Sequence, residues 1–359
     1  LLGPRRVGKS QLISHELNPD FIYDLLEADT FREISARPQL IRERLKSETK
    51  LVVIDEIQKL PLLMDEVHSM IEKTDTRFLL TGSSARKLKK SYTSLLAGRA
   101  SQRFLTPFVS IELKEKFELN RILQYGALPP VYLSKQPKEE LRDYVGLYLK
   151  EEIVSEALVR RIDNFSRFIE FAALTNGQIL NFESLGSDSQ VSPRTVREYY
   201  SILKDTLVGY MLEPIRTTNK RKSSATSKFF FFDIGVTNML TGRKLIPPRT
   251  KEYEEALEHF IFLELMAYKI YNHDDVEISF WHIPREAEVD FIINEEIGIE
   301  VKASTLVSER HLSGFRAYSK YDKLKRRIIV CHEKYERKMG DVEIIPINIF
   351  LQQLWSKGF

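Results

Sequence analysis

Leu1-Leu2-Gly3-Pro4-Arg5-Arg6-Val7-Gly8-Lys9-Ser10 opens the chain and reads Gly-x4-Gly-Lys-Ser, the Walker A pattern of a phosphate-binding loop. The two glycines let the backbone turn tightly enough for successive N–H groups to point inward at the β- and γ-phosphates of a nucleotide. The helix that begins near Lys9 adds its positive dipole end. Lys9 supplies a point charge to those phosphates and Ser10 a hydroxyl to Mg²⁺. The expected cradle for ATP runs through Gly3, Pro4, Arg5, Arg6, Val7, Gly8, Lys9, Ser10 and Gln11.

Leu51-Val52-Val53-Ile54-Asp55-Glu56 supplies the second half of such a site. Four consecutive apolar residues suit a central parallel strand covered on both faces, and such strands deliver their functional groups at the C-terminal end. Asp55 is expected to hold Mg²⁺ and Glu56 to polarise the attacking water. A lone Ile-Asp-Glu is ordinarily a strand entering a solvated turn; at this distance from Gly3–Ser10 the nucleotide reading wins. Arg77 to Leu80 reads as another buried strand, ending in Thr81-Gly82-Ser83-Ser84. Thr81 is a candidate for the space between γ-phosphate and water, although the same residues also make a good turn and helix cap. Arg99 and Arg103 are candidates for an arginine finger, in cis or toward a neighbouring subunit, against the commoner role of solvated surface.

Length and composition bound the rest. At 359 residues the chain is expected to hold two or three domains. Hydrophobic residues at 43% and charged residues at 29% describe an ordinary globular protein. The 54 basic and 51 acidic side chains leave a net charge of only +3, so any nucleic-acid-binding surface has to be local. The single cysteine, Cys331, excludes an intrachain disulfide framework and fits a reducing compartment. Without a bilayer-spanning apolar run or a signal segment, the expected location is the cytoplasm, with no membrane partner. Only Leu1 and Leu2 stand for the strand that should precede the loop, so the natural start is expected upstream.

Gly-Pro-Arg-Arg-Val-Gly-Lys-Ser, Val-Ile-Asp-Glu-Ile-Gln-Lys-Leu-Pro, Leu-Thr-Gly-Ser-Ser-Ala-Arg-Lys-Leu and Leu-Ala-Gly-Arg-Ala, followed by Leu-Thr-Pro-Phe, resemble the prokaryotic AAA+ ATPases (AAA_14 type) that carry a C-terminal domain of unknown function, DUF4143. The resemblance covers essentially the whole chain. It implies an α/β protein: an ASCE-type P-loop core with a parallel sheet over 1–113, a helical lid or linker over 114–160, a winged helix-turn-helix over 161–250, and a restriction-endonuclease-like α/β domain over 251–359.

Helices are expected from Phe165 to Leu174, from Asn181 and from Ser192, the last with Ser192 as N-cap and Pro193 in the first turn. Three helices with a tight turn spell helix-turn-helix, and the third presents Arg194 and Arg197 where DNA is usually met. Leu207–Leu212 and Lys228–Phe232 are expected to pair as strands, with Lys220, Arg221 and Lys222 forming a basic wing between them. Many winged helices bind only protein, and a basic loop tip is commonly solvated.

In the last domain, alternation puts Glu300 and Lys302 on one strand face, with Asp290 converging from the neighbouring strand. This is the acidic pair plus lysine of a PD-(D/E)xK nuclease, in which carboxylates hold Mg²⁺ and the lysine positions water. Glu258, on the preceding helix, matches the extra carboxylate of many such folds. Glu-x-Lys alone is a worthless signal, and Glu-Val-Asp departs from Pro-Asp. Two readings follow: an ATPase whose cycle controls DNA binding and a metal-dependent nuclease, or a nucleotide-gated protein–protein switch with a non-cutting scaffold. A homo-oligomer is compatible with both.

Overall fold

The computed structural model describes residues 1–82, 99–149, 162–215, 227–272, 275–284, 286–319 and 324–357. Its N-terminal part is built on parallel strands. β1 (Phe21–Asp24), β2 (Leu51–Asp55) and β3 (Arg77–Leu80) lie side by side in that order, with Tyr23 opposite Ile54 and Ile54 opposite Leu80. Leu2 continues the sheet, bridging in parallel to Gly82 on one side and Phe104 on the other. The segment Leu1–Leu2 that feeds the phosphate loop therefore lies beside the end of β3, with β2 beyond. Val52, Val53 and Ile54 have no solvent exposure, as a strand covered on both faces requires. The helices Ala28–Ala36 and Leu63–Lys73 bring Ile34, Leu63, Val67 and Met70 into that core.

The described residues from 119 to 205 are mainly helical. Leu119–Tyr125, Pro129–Leu133 and Pro137–Asp143 precede Ile162–Leu174, Phe182–Ser189 and Pro193–Asp205. Ser192 caps the last of these by accepting a hydrogen bond from the Thr195 amide at 3.1 Å, with Pro193 in the first turn. An antiparallel hairpin follows, β4 (Gly209–Pro214) with β5 (Lys228–Phe231), Tyr210 opposite Phe230. The described residues of the expected helical lid or linker, 114–160, pack on the middle region. Leu128, Val131, Leu141 and Tyr144 share one core with Phe168, Tyr200, Phe229 and Phe231. Asp233 adds a buried tie, accepting the amides of Ala127 at 2.7 Å and Val236 at 3.0 Å.

The C-terminal part places a 22-residue helix, Lys251–Asn272, across a mixed sheet. Its strands are β6 (Ile278–Ile283), β7 (Ala287–Ile293), β8 (Ile297–Val301), β9 (Arg326–Cys331), β10 (Arg337–Met339) and β11 (Val342–Pro346). Helix Ser313–Tyr318 connects β8 to β9, which pair in parallel; β6, β7 and β8 run antiparallel. The middle hairpin joins this sheet: β4 pairs in parallel with β6 through Glu213–Ser279 and Pro214–Phe280. Among the described residues the order is β10-β11-β9-β8-β7-β6-β4-β5.

Two buried contacts fasten the N-terminal part to the long helix. Tyr271 Oη accepts the Thr106 amide at 3.1 Å, and Glu264 accepts the Ser110 amide and hydroxyl, each at 2.8 Å, with Trp355 Nε1 donating at 2.7 Å. Burial pushes the Glu264 carboxyl up to about 7, against the pull of Trp355 and Ser110. Because its folded value lies above the ordinary one, its contribution is fully present below about pH 4.5 and is lost as pH rises through about 7. Glu264→Gln should accordingly gain on the wild type between pH 5 and pH 8, by up to about 3 kcal/mol in chemical denaturation. A pH-independent difference between the two proteins would show that the carboxyl does not titrate in the fold.

Candidate functional site

At the phosphate loop, Arg6 (φ 64°) and Gly8 (φ 102°) both take left-handed backbone, which curls the chain into a concave turn ahead of the helix Lys9–Glu16. Gly3 is required by proximity, since a Cβ there would meet the Leu105 carbonyl oxygen at 2.5 Å. Lys9 is buried, its Nζ donating to the carbonyls of Gly3 at 2.8 Å and Pro4 at 3.1 Å. The lysine thus folds back over its own loop, within a side-chain swing of the turn. Val7 points into the middle core, and Arg6 pairs with Glu140 at 3.1 Å. Gln11 lies exposed in the first turns of the helix, and Arg5 is half-buried on the loop.

Asp55 ends β2 at the point of convergence. Ser10 Oγ donates to its Oδ2 at 3.2 Å, and Thr81 Oγ1 donates to its Oδ1. Thr81 Oγ1 in turn accepts the Glu56 amide at 3.1 Å, and Gln58 Nε2 donates to Glu56 Oε2. Glu56 is held in left-handed backbone at φ 56°. Lys9, Ser10, Asp55, Glu56 and Thr81 therefore lie together at the C-terminal ends of the strands. A hydroxyl beside a buried carboxylate, next to a turn of inward N–H groups, is a donor set that fits Mg²⁺ and phosphate oxygens. Arg99 goes elsewhere: its guanidinium lies 2.5 Å from Glu72 and 2.8 Å from His68, both on the helix Leu63–Lys73.

A second cluster forms in the C-terminal sheet. Glu258, from the long helix, and Glu288 and Asp290, from β7, bring carboxylate oxygens within 4.8 Å of one another. Lys302 Nζ lies 2.9 Å from Glu300 Oε2 and 3.9 Å from Asp290 Oδ2, and the Val301 amide donates to Asp290 at 2.8 Å. The expected Glu258, Asp290, Glu300 and Lys302 thus gather, but the third member of the close carboxylate group is Glu288. Into this group comes Lys228 from β5, 3.0 Å from Glu258 and also paired with Glu288. Burial would lower the Lys228 ammonium, yet Glu258, Glu288 and Asp290 more than offset this and hold it above its ordinary value. Burial raises both the Glu258 and Glu300 carboxyls, opposed by Lys228 and Lys302 respectively.

Sequence reasoning missed Glu288 and Lys228. The first was findable, since Glu288 and Asp290 sit two apart on one strand and share a face. Lys228 opens a run of phenylalanines, and nothing local tells that this lysine, only 2% exposed, sits between acids.

In the helix Pro193–Asp205, Arg194 is exposed and lies 3.5 Å from Glu198, while Arg197 lies over the Phe182 ring at 4.7 Å. Lys220, Arg221 and Lys222 lie outside the described residues.

Comparison with known proteins divides the chain into three. Residues 1–114 match an AAA domain, residues 116–245 a domain of unknown function, DUF8612, and residues 253–350 the domain of unknown function DUF4143. An uncharacterized protein of Haemophilus influenzae is 24% identical over 389 residues, covering 98% of this chain and 93% of its own length. Among the described residues, no helix is long and apolar enough to cross a membrane. The loop Gly3–Ser10 and its partner Asp55 fall within the AAA-domain match, and the acidic cluster's Glu258, Glu288 and Asp290 within the DUF4143 match, so the chain joins an N-terminal region similar to AAA domains to a C-terminal region similar to DUF4143.

Proposed function

We propose that the protein binds ATP with Mg²⁺ and hydrolyses it, and that nucleotide state acts on a DNA-binding middle region and on the C-terminal acidic cluster. The observation that carries the ATPase reading is the Ser10–Asp55–Thr81–Glu56 chain of hydrogen bonds beside Lys9. On this reading Lys9 leaves the Gly3 and Pro4 carbonyls for the phosphates, while Ser10 and Asp55 hold Mg²⁺. The ion, when bound, neutralises charge on the β- and γ-phosphates. Glu56, steadied by Gln58, orients and polarises the attacking water, and Thr81 keeps Asp55 and the Glu56 backbone in fixed relation. Arg99 would act as a finger, in cis or from a second copy, only by giving up Glu72.

Three helices followed by a hairpin, with Arg194 exposed on the third helix, support the winged-helix reading and a DNA partner. The order helix, three strands, helix, strand from Lys251 to Cys331 supports a restriction-endonuclease-like domain. There Glu258, Asp290 and Glu300 would hold Mg²⁺ and Lys302 would position water. A specific observation favours the second reading for this domain. Lys228 already balances the charge of Glu258 and Glu288, as it would in a non-cutting scaffold serving a nucleotide-gated switch.

Lys9→Ala should abolish ATP binding and turnover, and Glu56→Gln should keep binding while turnover falls by on the order of a hundredfold or more. Turnover unchanged in both variants removes the ATPase assignment. Plasmid and linear DNA incubated with Mg²⁺ or Mn²⁺, with and without ATP, should be cut by the wild type and not by Asp290→Ala if the cluster is a nuclease; intact DNA throughout favours the scaffold. Lys228→Met leaves two carboxylates without their buried counter-charge and should cost about 3–5 kcal/mol in unfolding free energy. Mn²⁺ should restore part of that loss only where the carboxylates can take a cation, which melting curves with and without chelator will read.

A further inference from the structure

A cavity of about 270 Å³ begins at the phosphate loop and is walled by all three matched regions. Gly3, Pro4 and Leu105 form its AAA side. Asp205, Tyr210 and Met211, around the start of the hairpin, form the second wall, and Met266 and Ile270 of the long helix form the third. We infer that this cavity is the subsite for the base and sugar of the bound nucleotide, so that one ligand touches the AAA, DUF8612 and DUF4143 parts of the chain together. The inference rests on reading Gly3–Ser10 as the triphosphate site and adds where the rest of the ligand goes.

Direction within the sheet carries the argument. Ser10, Asp55 and Thr81 fix the metal and terminal phosphate toward β2 and β3. Phe104 flanks Leu2 on the opposite side. A nucleoside triphosphate is an extended molecule, and with its phosphates on the turn at Arg6–Lys9 its base has to leave away from Asp55. That is where the cavity opens, beside Gly3, Pro4 and Leu105.

Its chemistry suits a flat heterocycle with a polar edge. Leu105, Met211, Met266 and Ile270 offer apolar faces, and thioethers adapt their shape to a ring. Asp205, half-buried, provides an acceptor for an exocyclic amine or a ribose hydroxyl. Tyr210 borders the same space. Small-molecule sites occupy roughly 300–1,000 Å³, and this volume, just below that range, matches one base with its sugar more closely than a larger ligand.

The test separates base from phosphates. Calorimetric titration of the full chain with ATP, ADP and inorganic tripolyphosphate isolates the two halves of the site. Met211→Trp and Met266→Trp, each filling the cavity, should weaken ATP and ADP by about tenfold or more and tripolyphosphate by less than about twofold. Equal affinity for ATP in wild type and both variants, or parallel losses of ATP and tripolyphosphate, would overturn the subsite. A wild type that binds neither ligand, or a Lys9→Ala variant that binds both unchanged, would sink the underlying triphosphate reading. Photolabelling of the wild type with 8-azido-ATP avoids any question of variant folding: label is expected on peptides holding residues 204–211 or 266–270, and label confined to other peptides refutes the inference.

Discussion

The helix Lys251–Asn272 cannot be rotated or slid without stranding a buried polar group in each part of the molecule. Over fourteen positions it presents Glu258 to Lys228, His259 to the Phe231 carbonyl at 2.6 Å, Glu264 to Ser110 and Trp355, and Tyr271 to Thr106. Between these handles Phe260, Ile261, Phe262 and Leu265 are buried, and Phe262 stacks on Phe230 at 4.2 Å. A helix apolar on most sides belongs in a core, where burial supplies the driving force but little discrimination among registers. The polar handles supply the discrimination, because each would cost free energy if left unpaired in that environment. His259 illustrates the balance: burial lowers it to about 4, so the ring is neutral, with Nε2–H donating to Phe231 and Nδ1 accepting from Asn176.

The same helix explains how a loop at one end of the chain is held against a sheet at the other. Segment 103–106 bonds to Leu2 through Arg103 and Leu105, each at 2.8 Å, and to Tyr271 through Thr106. A strand only one bridge wide thereby links the phosphate loop to the helix. Arg6 and Val7 add contacts from the loop itself to the middle region. Movement of the loop has several packed neighbours to act upon, and packed interfaces respond by switching between arrangements more readily than by bending.

What the sequence made legible was whatever depends on short spacing. Gly3 to Ser10 carries its own backbone requirement, and Asp55-Glu56 closes an apolar strand, so both could be read without knowing the fold. The N-cap at Ser192 and the shared face of Glu300 and Lys302 were equally local. Long-range destinations were not legible. Arg99, a candidate finger in cis or toward a second copy, pairs with Glu72, and Arg197, a candidate DNA contact, lies over Phe182, fifteen positions back; neither partner is marked by local spacing. Nothing local in residues 128–145 marks Phe168 and Phe229 as their partners. The joining of β4 to β6 rests on two residue pairs, Glu213–Ser279 and Pro214–Phe280, that no periodicity marks.

That junction decides the electrostatics of the acidic cluster. β5 extends the C-terminal sheet only because β4 does, and Lys228 is its first residue. Phe229, Phe230, Phe231 and Phe232 are fully buried and would drive pairing in more than one register, since hydrophobic burial alone distinguishes poorly between phenylalanine neighbours. A slip by one residue reverses every side chain on the strand and would carry the ammonium away from Glu258 and Glu288. Buried ion pairs contribute little net stability but penalise the arrangements that break them. Lys228 therefore fixes the register of β5, and the charge of a C-terminal cluster is set by a residue that the DUF8612 region contributes.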